Sequence, residues 1–132
     1  MPATKSFEEL ECWQESRLLV KMVFVLCDSG KLSRDFGTAN QIKRAALSVM
    51  NNIAEGHGRK SAKEFIRFLD IAQSSAVEVK SMTYILEDLE YIPASHNESL
   101  RSKADKVKKI IRGLIRYLEN RQSSEAPTHP GT

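Results

Sequence analysis

An all-α fold, four antiparallel helices packed as an up-down-up-down bundle, follows from three features of this chain. Apolar residues recur at helical spacing, Ser/Thr-x-x-Glu/Gln capping signatures stand ahead of the apolar runs, and no period-two alternation competes with them. With 132 residues and 41% apolar content, the chain is long enough to bury one real core.

The first helix is expected near 8–28, with Ser6-Phe-Glu-Glu9 as its start signal and Gly30, with Gly37, as its stop. Its stretch from Leu18 to Cys27 is apolar nearly all the way round and is interrupted by Lys21; these ten residues are too few to span a bilayer. The second helix, near 39–55, follows Thr38-Ala-Asn-Gln41 and closes at Gly56 with Gly58. Its core stripe is Ile42, Ala45, Ala46, Val49, Met50 and Ile53. The third, near 62–91, follows Ser61-Ala-Lys-Glu64, buries Phe65, Phe68, Leu69, Ala72, Ala76, Val79 and Leu86, and stops before Pro93. The fourth, near 96–121, follows Ser95-His-Asn-Glu98 and buries Val107, Ile110, Ile111, Leu114 and Leu118. Short connections between long helices force neighbours to run antiparallel. Residues 1–122 thus form one domain, and 123–132, with Pro127, Pro130 and Gly131, are expected to be a disordered tail.

Helices one and three carry more apolar surface than one buried stripe requires. Ile66, Val77 and Tyr84 form a second line on helix three, off its core stripe. Generous core packing is one reading. The other is an interface between copies, since large exposed apolar patches are unusual on monomers. Trp13 is expected at a helix end or a subunit junction.

Charge is concentrated in two places. From Arg101 to Arg121 there are eight Lys/Arg against Asp105 and Glu119, a local net charge of +6 in a chain whose total is only +3. At about 100° per residue, Arg101, Lys108, Lys109, Arg112 and Arg116 share the face opposite the core stripe. Such a stripe suits phosphates, or else it is a solvated face balancing more acidic helices. The second cluster surrounds the helix two–three turn: Arg59, Lys60, Lys63 and Arg67, with Lys43 and Arg44 on helix two. Gly56 and Gly58 there would permit positive-φ backbone, and the next helix N-terminus would offer free N–H groups to an anion. The structural alternative is a turn fixed by a hydrogen-bond network of Arg44, Asn52, Glu55 and Arg59. Aromatic residues do not interleave with either cluster, so recognition would be of backbone phosphates, with little sequence specificity.

Catalysis has little to stand on. Glu-x-x-His pairs of a di-metal bundle are missing, and His57, His96 and His129 have no ligand spacing. Neither a metal nor a cofactor is expected. Cys12 and Cys27 are fifteen residues apart in one helix, about 22 Å of rise, so they cannot pair and are expected to be buried and reduced. Reduced thiols and an N-terminus that runs straight into acidic residues point to a cytoplasmic protein with no membrane segment.

The segment Gln41 to Ala72, containing Asn52-Ile-Ala-Glu-Gly-His-Gly-Arg59 and Lys63-Glu-Phe-Ile-Arg-Phe68, resembles the bacterial 23S rRNA-intervening-sequence protein family. Phe7-Glu-Glu-Leu-Glu-Cys-Trp13-Gln14 upstream carries the resemblance to most of the domain, about Phe7 to Ile92; helix four matches only in its amphipathic character. Val49-Met50 stands where an Ile-Pro pair is usual, which should leave helix two straighter, and Ser74-Ser75 replaces a Gly-Ser pair. The resemblance implies a four-helix bundle assembled as a homopentamer. It also implies similarity in fold to accessory proteins of diversity-generating retroelements, pentameric barrels that associate with a reverse transcriptase and nucleic acid. The expectation is therefore a non-enzymatic homo-oligomer that binds RNA or other nucleic acid electrostatically, in the service of a reverse transcriptase or other nucleic-acid enzyme. The alternative is a scaffold whose basic face docks an acidic protein.

Overall fold

The structure is a computed structural model and describes residues 6–125. A 3-10 turn, Phe7–Glu9, leads into α1 (Glu11–Cys27); a second 3-10 turn, Lys31–Arg34, leads into α2 (Phe36–His57), followed by α3 (Ala62–Asp88) and α4 (Ala94–Glu125). Four α-helices and no strand occur among the described residues. Each helix packs against its neighbours in the chain, and α1 also packs against α4.

The helix starts depend on local chemistry. Ser61 caps α3 as expected: its hydroxyl oxygen accepts the Glu64 N–H at 3.2 Å. Thr38 does not cap α2. The cap is Asp35, three residues earlier, which takes the Thr38 N–H at 3.0 Å and the Thr38 hydroxyl at 2.8 Å. A carboxylate outcompetes a hydroxyl for the orphan donors at a helix N-terminus. Gly37, expected as a stop, therefore lies in the first turn of α2. Ser95 is no cap either, because α4 starts at Ala94, directly after Pro93, whose carbonyl accepts from the His96 and Asn97 N–H groups. Pro93 has the φ of a helix start and no N–H to satisfy. Ser6 precedes the first 3-10 turn without a side-chain cap bond.

Helix ends were expected at glycine or proline, yet α3 stops at Asp88 in a Schellman motif built on Glu90. The Glu90 N–H donates to the Glu87 carbonyl and the Tyr91 N–H to the Leu86 carbonyl, each at 3.0 Å, with Glu90 in the left-handed region at φ 54°. Gly30, at φ 66°, takes the same handedness after α1. At the far end, α4 runs to Glu125, into the stretch expected as tail; the remaining tail residues 126–132, including His129, lie outside the described residues.

The core is one cluster drawn from all four helices, with Leu19, Ile42, Ile53, Leu69, Leu86, Leu100 and Ile111 among its largest fully buried members. The expected stripes hold, except that Met50, Phe65, Phe68 and Ile110 are only half-buried at the margin. α2 continues unbroken through Val49 and Met50. Between α2 and α3 runs a small polar seam in which the Ser48 and Ser75 hydroxyls lie 2.7 Å apart. Cys12 and Cys27 are free and buried, and burial pushes the Cys12 thiol up to about 12.

Candidate nucleic-acid interface

The basic helix α4 uses three of its cations, Arg101, Lys103 and Lys106, to hold itself to the bundle. Arg101 donates through Nε to the Thr83 hydroxyl oxygen at 2.9 Å and pairs with Glu87 at 3.0 Å; its guanidinium lies 3.8 Å from the Tyr84 ring centre. Thr83 is buried and passes its own proton to the Lys80 carbonyl, so Arg101 completes a local polar circuit. Lys103 and Lys106 both reach Glu15 on α1, at 2.7 and 3.4 Å. The hydrogen bond from Lys103 holds the Glu15 carboxyl below its ordinary value, with the charge of Lys106 adding to the effect. Asp105 sits between Lys109 at 3.1 Å and Lys80 of α3 at 3.2 Å, and those two hydrogen bonds, Lys109 first, lower its pKa as well.

This divides the stripe expected from the sequence. Arg101 clamps α3 to α4, with one guanidinium N–H committed to Thr83 and one to Glu87. Lys109 keeps most of its surface in water while pairing with Asp105 one turn earlier, a weak exposed contact. Lys108 is half-buried; Arg112 and Arg116 are exposed. Among the described residues no carboxylate lies within ion-pair range of these last three.

The helix two–three turn divides in the same way. Arg59 pairs with Glu55 at 3.1 Å and lies 4.7 Å from the Phe68 ring centre, which commits it to the turn. Lys43 reaches across to the Phe24 ring of α1, 5.1 Å away. Arg44, Lys60, Lys63 and Arg67 are exposed and have no carboxylate partner among the described residues. Of the network expected to fix the turn, the structure keeps Glu55 with Arg59. Asn52 instead donates to the Ser48 carbonyl at 2.8 Å and hydroxyl at 3.1 Å, one helical turn back, and Arg44 takes no part.

The two glycines also differ from expectation. Neither has positive φ: Gly56 is inside α2, and Gly58 sits at φ −78° as its C-cap. Gly56 is required for space. A methyl group on it would come within 2.6 Å of the Phe68 Cβ and 3.0 Å of the Phe65 ring, so its bare backbone is what lets α3 approach α2.

The expected interface residues scatter. Ile66 is partly buried against the core, and Trp13 packs edge-on to Phe7 at 5.1 Å with Arg17 beside it. Val77 and Tyr84 are exposed, although Arg101 covers one face of the Tyr84 ring. Sequence reasoning missed other exposed apolar residues: Ile71 and Ile85 on α3, Leu89 at its C-cap, and above all Phe36, 75% exposed at the start of α2. It also missed the Glu15 and Asp105 ion-pair clusters, which join helices far apart in sequence and have no local signature.

Among the described residues no group of His, Cys, Asp and Glu is placed to hold a metal ion, and no helix is long and apolar enough to cross a membrane. The site is thus a set of exposed cations on a helical frame. The chain belongs to the 23S rRNA-intervening sequence protein family, whose model matches residues 8–113. Its fold is similar to the crystal structure of a protein of unknown function from the S23 ribosomal protein family of Bacteroides thetaiotaomicron. That likeness has a TM-score of 0.73 at 23% identity, covers 80% of this chain and 98% of the other, and is one of fold. No curated protein matches the chain.

Proposed function

We propose that the protein is a non-enzymatic, homo-oligomeric helical module, a pentamer of up-down-up-down bundles, that binds RNA or another nucleic acid through backbone phosphates. The observation that carries the reading is the set of cations without a carboxylate partner: Arg112 and Arg116 on α4, with Lys60, Lys63 and Arg67 around the start of α3. A folded protein that pairs Arg101, Lys103, Lys106 and Lys109 internally, yet leaves these five to water, keeps them available for an external anion.

Chain direction supports grouping them. Arg101 meets Glu87 whereas Asp105 meets Lys80, as antiparallel α3 and α4 require, so the later turns of α4 lie level with the earlier turns of α3. Extending that register puts Arg116 near the height of Arg67, toward one end of the bundle, and Arg112 nearer the middle of α3. Repetition of that end around an oligomer would multiply a weak single-site attraction. The apolar surplus, including Val25 at 59% exposure and Leu18 at 47%, supports the oligomer. Service to a reverse transcriptase or other nucleic-acid enzyme is the corresponding biological role.

Filter binding with structured RNA and with duplex DNA over a salt series tests the reading. Affinity should fall steeply with salt, with a log–log slope of about 0.9 per phosphate contact on duplex and about 0.7 on single strands. Reversing charge at Arg112 and Lys63 together should abolish binding. A salt-insensitive affinity, or binding that survives the reversal, refutes it. A second reading, a scaffold that docks an acidic protein, is favoured by the exposed Val77 and Tyr84 taken together with the cations, since mixed apolar and cationic surface suits a protein partner. Nucleic acid that fails to bind at low salt would leave that reading standing.

A further inference from the structure

Gly113 lies in the interior of α4, where glycine weakens a helix relative to alanine, and a methyl group on it would meet nothing within 4 Å. Neither turn geometry nor internal crowding accounts for it. The open space above it is a notch of about 320 Å³ between α1 and α4, walled by Leu10, Ile110, Leu114 and Tyr117, with Glu11 as its acidic member. A cavity of roughly 150 Å³ lined by such residues already accepts a benzene ring.

The same chain presents an unpartnered aromatic ring elsewhere. Among the described residues Phe36 is the most exposed large apolar side chain, at 75%. The two features sit at opposite ends of α1. The Cys27 thiol lies 3.8 Å from the Ala39 carbonyl, which places the start of α2 beside the end of α1, whereas the notch is formed by the start of α1. The 17 residues of α1 separate them, about 25 Å at 1.5 Å per residue, so Phe36 cannot fill the notch of its own chain.

Charge agrees with the shapes. Lys31 and Arg34 precede Phe36, while Glu8, Glu9 and Glu11 surround the start of α1; all five are exposed, and none forms an ion pair among the described residues. We propose that Phe36 of one copy inserts into the Gly113 notch of a second copy, with Arg34 and Lys31 of the first facing Glu11 and Glu8 of the second. The contact is heterologous, joining two different patches, and so builds a ring if its rotation closes and a filament if it does not. It deepens the self-assembly reading above and rests on it.

The test is the mass of the full chain by light scattering and sedimentation, with circular dichroism as the folding control. Phe36→Ser removes an exposed ring, and Gly113→Leu fills open space, so both variants should keep the fold. Each should weaken association by about ten-fold or more, as loss of a central aromatic anchor does. Arg34→Glu and Glu11→Arg should each weaken it alone and restore it in combination. Assembly that persists unchanged in both Phe36→Ser and Gly113→Leu overturns this contact while leaving self-assembly standing. A wild-type chain that sediments at 14.9 kDa overturns both.

Discussion

Tyr91, in the connection after α3, donates its hydroxyl to Asp35, the N-cap of α2, across 2.9 Å. One carboxylate thereby closes a helix end and ties together two connections that are 56 residues apart in the chain. The Thr38 N–H, the Thr38 hydroxyl and then the Tyr91 hydroxyl hold the Asp35 carboxyl below its ordinary 3.8. A carboxyl lowered on folding stabilises the fold fully above its unfolded pKa, and that stabilisation is lost as pH falls through the folded value. Asp35→Asn should therefore lower the melting temperature at pH 7, and the gap from wild type should shrink as the pH falls below about 3.8. Tyr91→Phe should narrow the same gap, because the shift has the tyrosine as one of its causes. A constant difference across the titration would assign the loss to packing instead.

Glu90 adopts a backbone conformation that costs a side-chain-bearing residue about 1–2 kcal/mol. Its side chain is exposed and makes no ion pair among the described residues. Glu90→Gly should thus raise stability in urea by about 1 kcal/mol. Glu90→Val should lower it, since a β-branched residue tolerates positive φ least.

Gly56 and Gly58 differ in role, and one methyl group separates them. Gly56→Ala forces the Phe68 and Phe65 backbone and ring apart and should cost about 1–3 kcal/mol. Gly58→Ala places its Cβ at an ordinary 3.5 Å from the Glu55 carbonyl at negative φ, so stability should hardly change. Chemical denaturation of the two variants checks the contrast. Equal losses would mean that the turn, and not the helix contact, is what the glycines serve.

Arg101 and Arg112 are both arginines on α4, but they should fail differently. Arg101→Ala strands Thr83 and Glu87 and should reduce thermal stability. Arg112→Ala should leave the melting temperature unchanged and lower the salt slope of nucleic-acid binding by about 1. Measuring both properties on both variants separates a clamp from a ligand.

Asn97 is buried, and its side-chain amide has no hydrogen-bond partner among the described residues. Burial of an unpaired amide costs about 1–3 kcal/mol, so Asn97→Leu should raise the urea midpoint if the extra bulk fits. Retention of the wild-type midpoint with an unchanged slope would show that the amide is solvated in solution.

The helices were legible because their apolar stripes are long and their period is unambiguous; Ile42 to Ile53 and Val107 to Leu118 need no tertiary information. Their ends were less so. Thr38 looks like a cap by spacing, and only the competition from Asp35, three residues upstream, moves the start. The Asp-x-x-Thr pattern was there to be read, with threonine where glutamate is usual. The candidate site was half legible: helical phase places Arg112 and Arg116 outward, but it cannot show that Arg101 meets Thr83, Tyr84 and Glu87 on another helix. Gly56 likewise suggested a turn, because glycine's two uses, freedom of φ and lack of bulk, look identical in one dimension.

The two buried thiols mark α1 near its first and last turns. A thiol reacts as its thiolate, which burial suppresses here for both Cys12 and Cys27. Each is therefore a native clock on one end of the same helix. Its rate of alkylation counts how often that end leaves the bundle, and unequal rates would order the opening of the two ends without an introduced label.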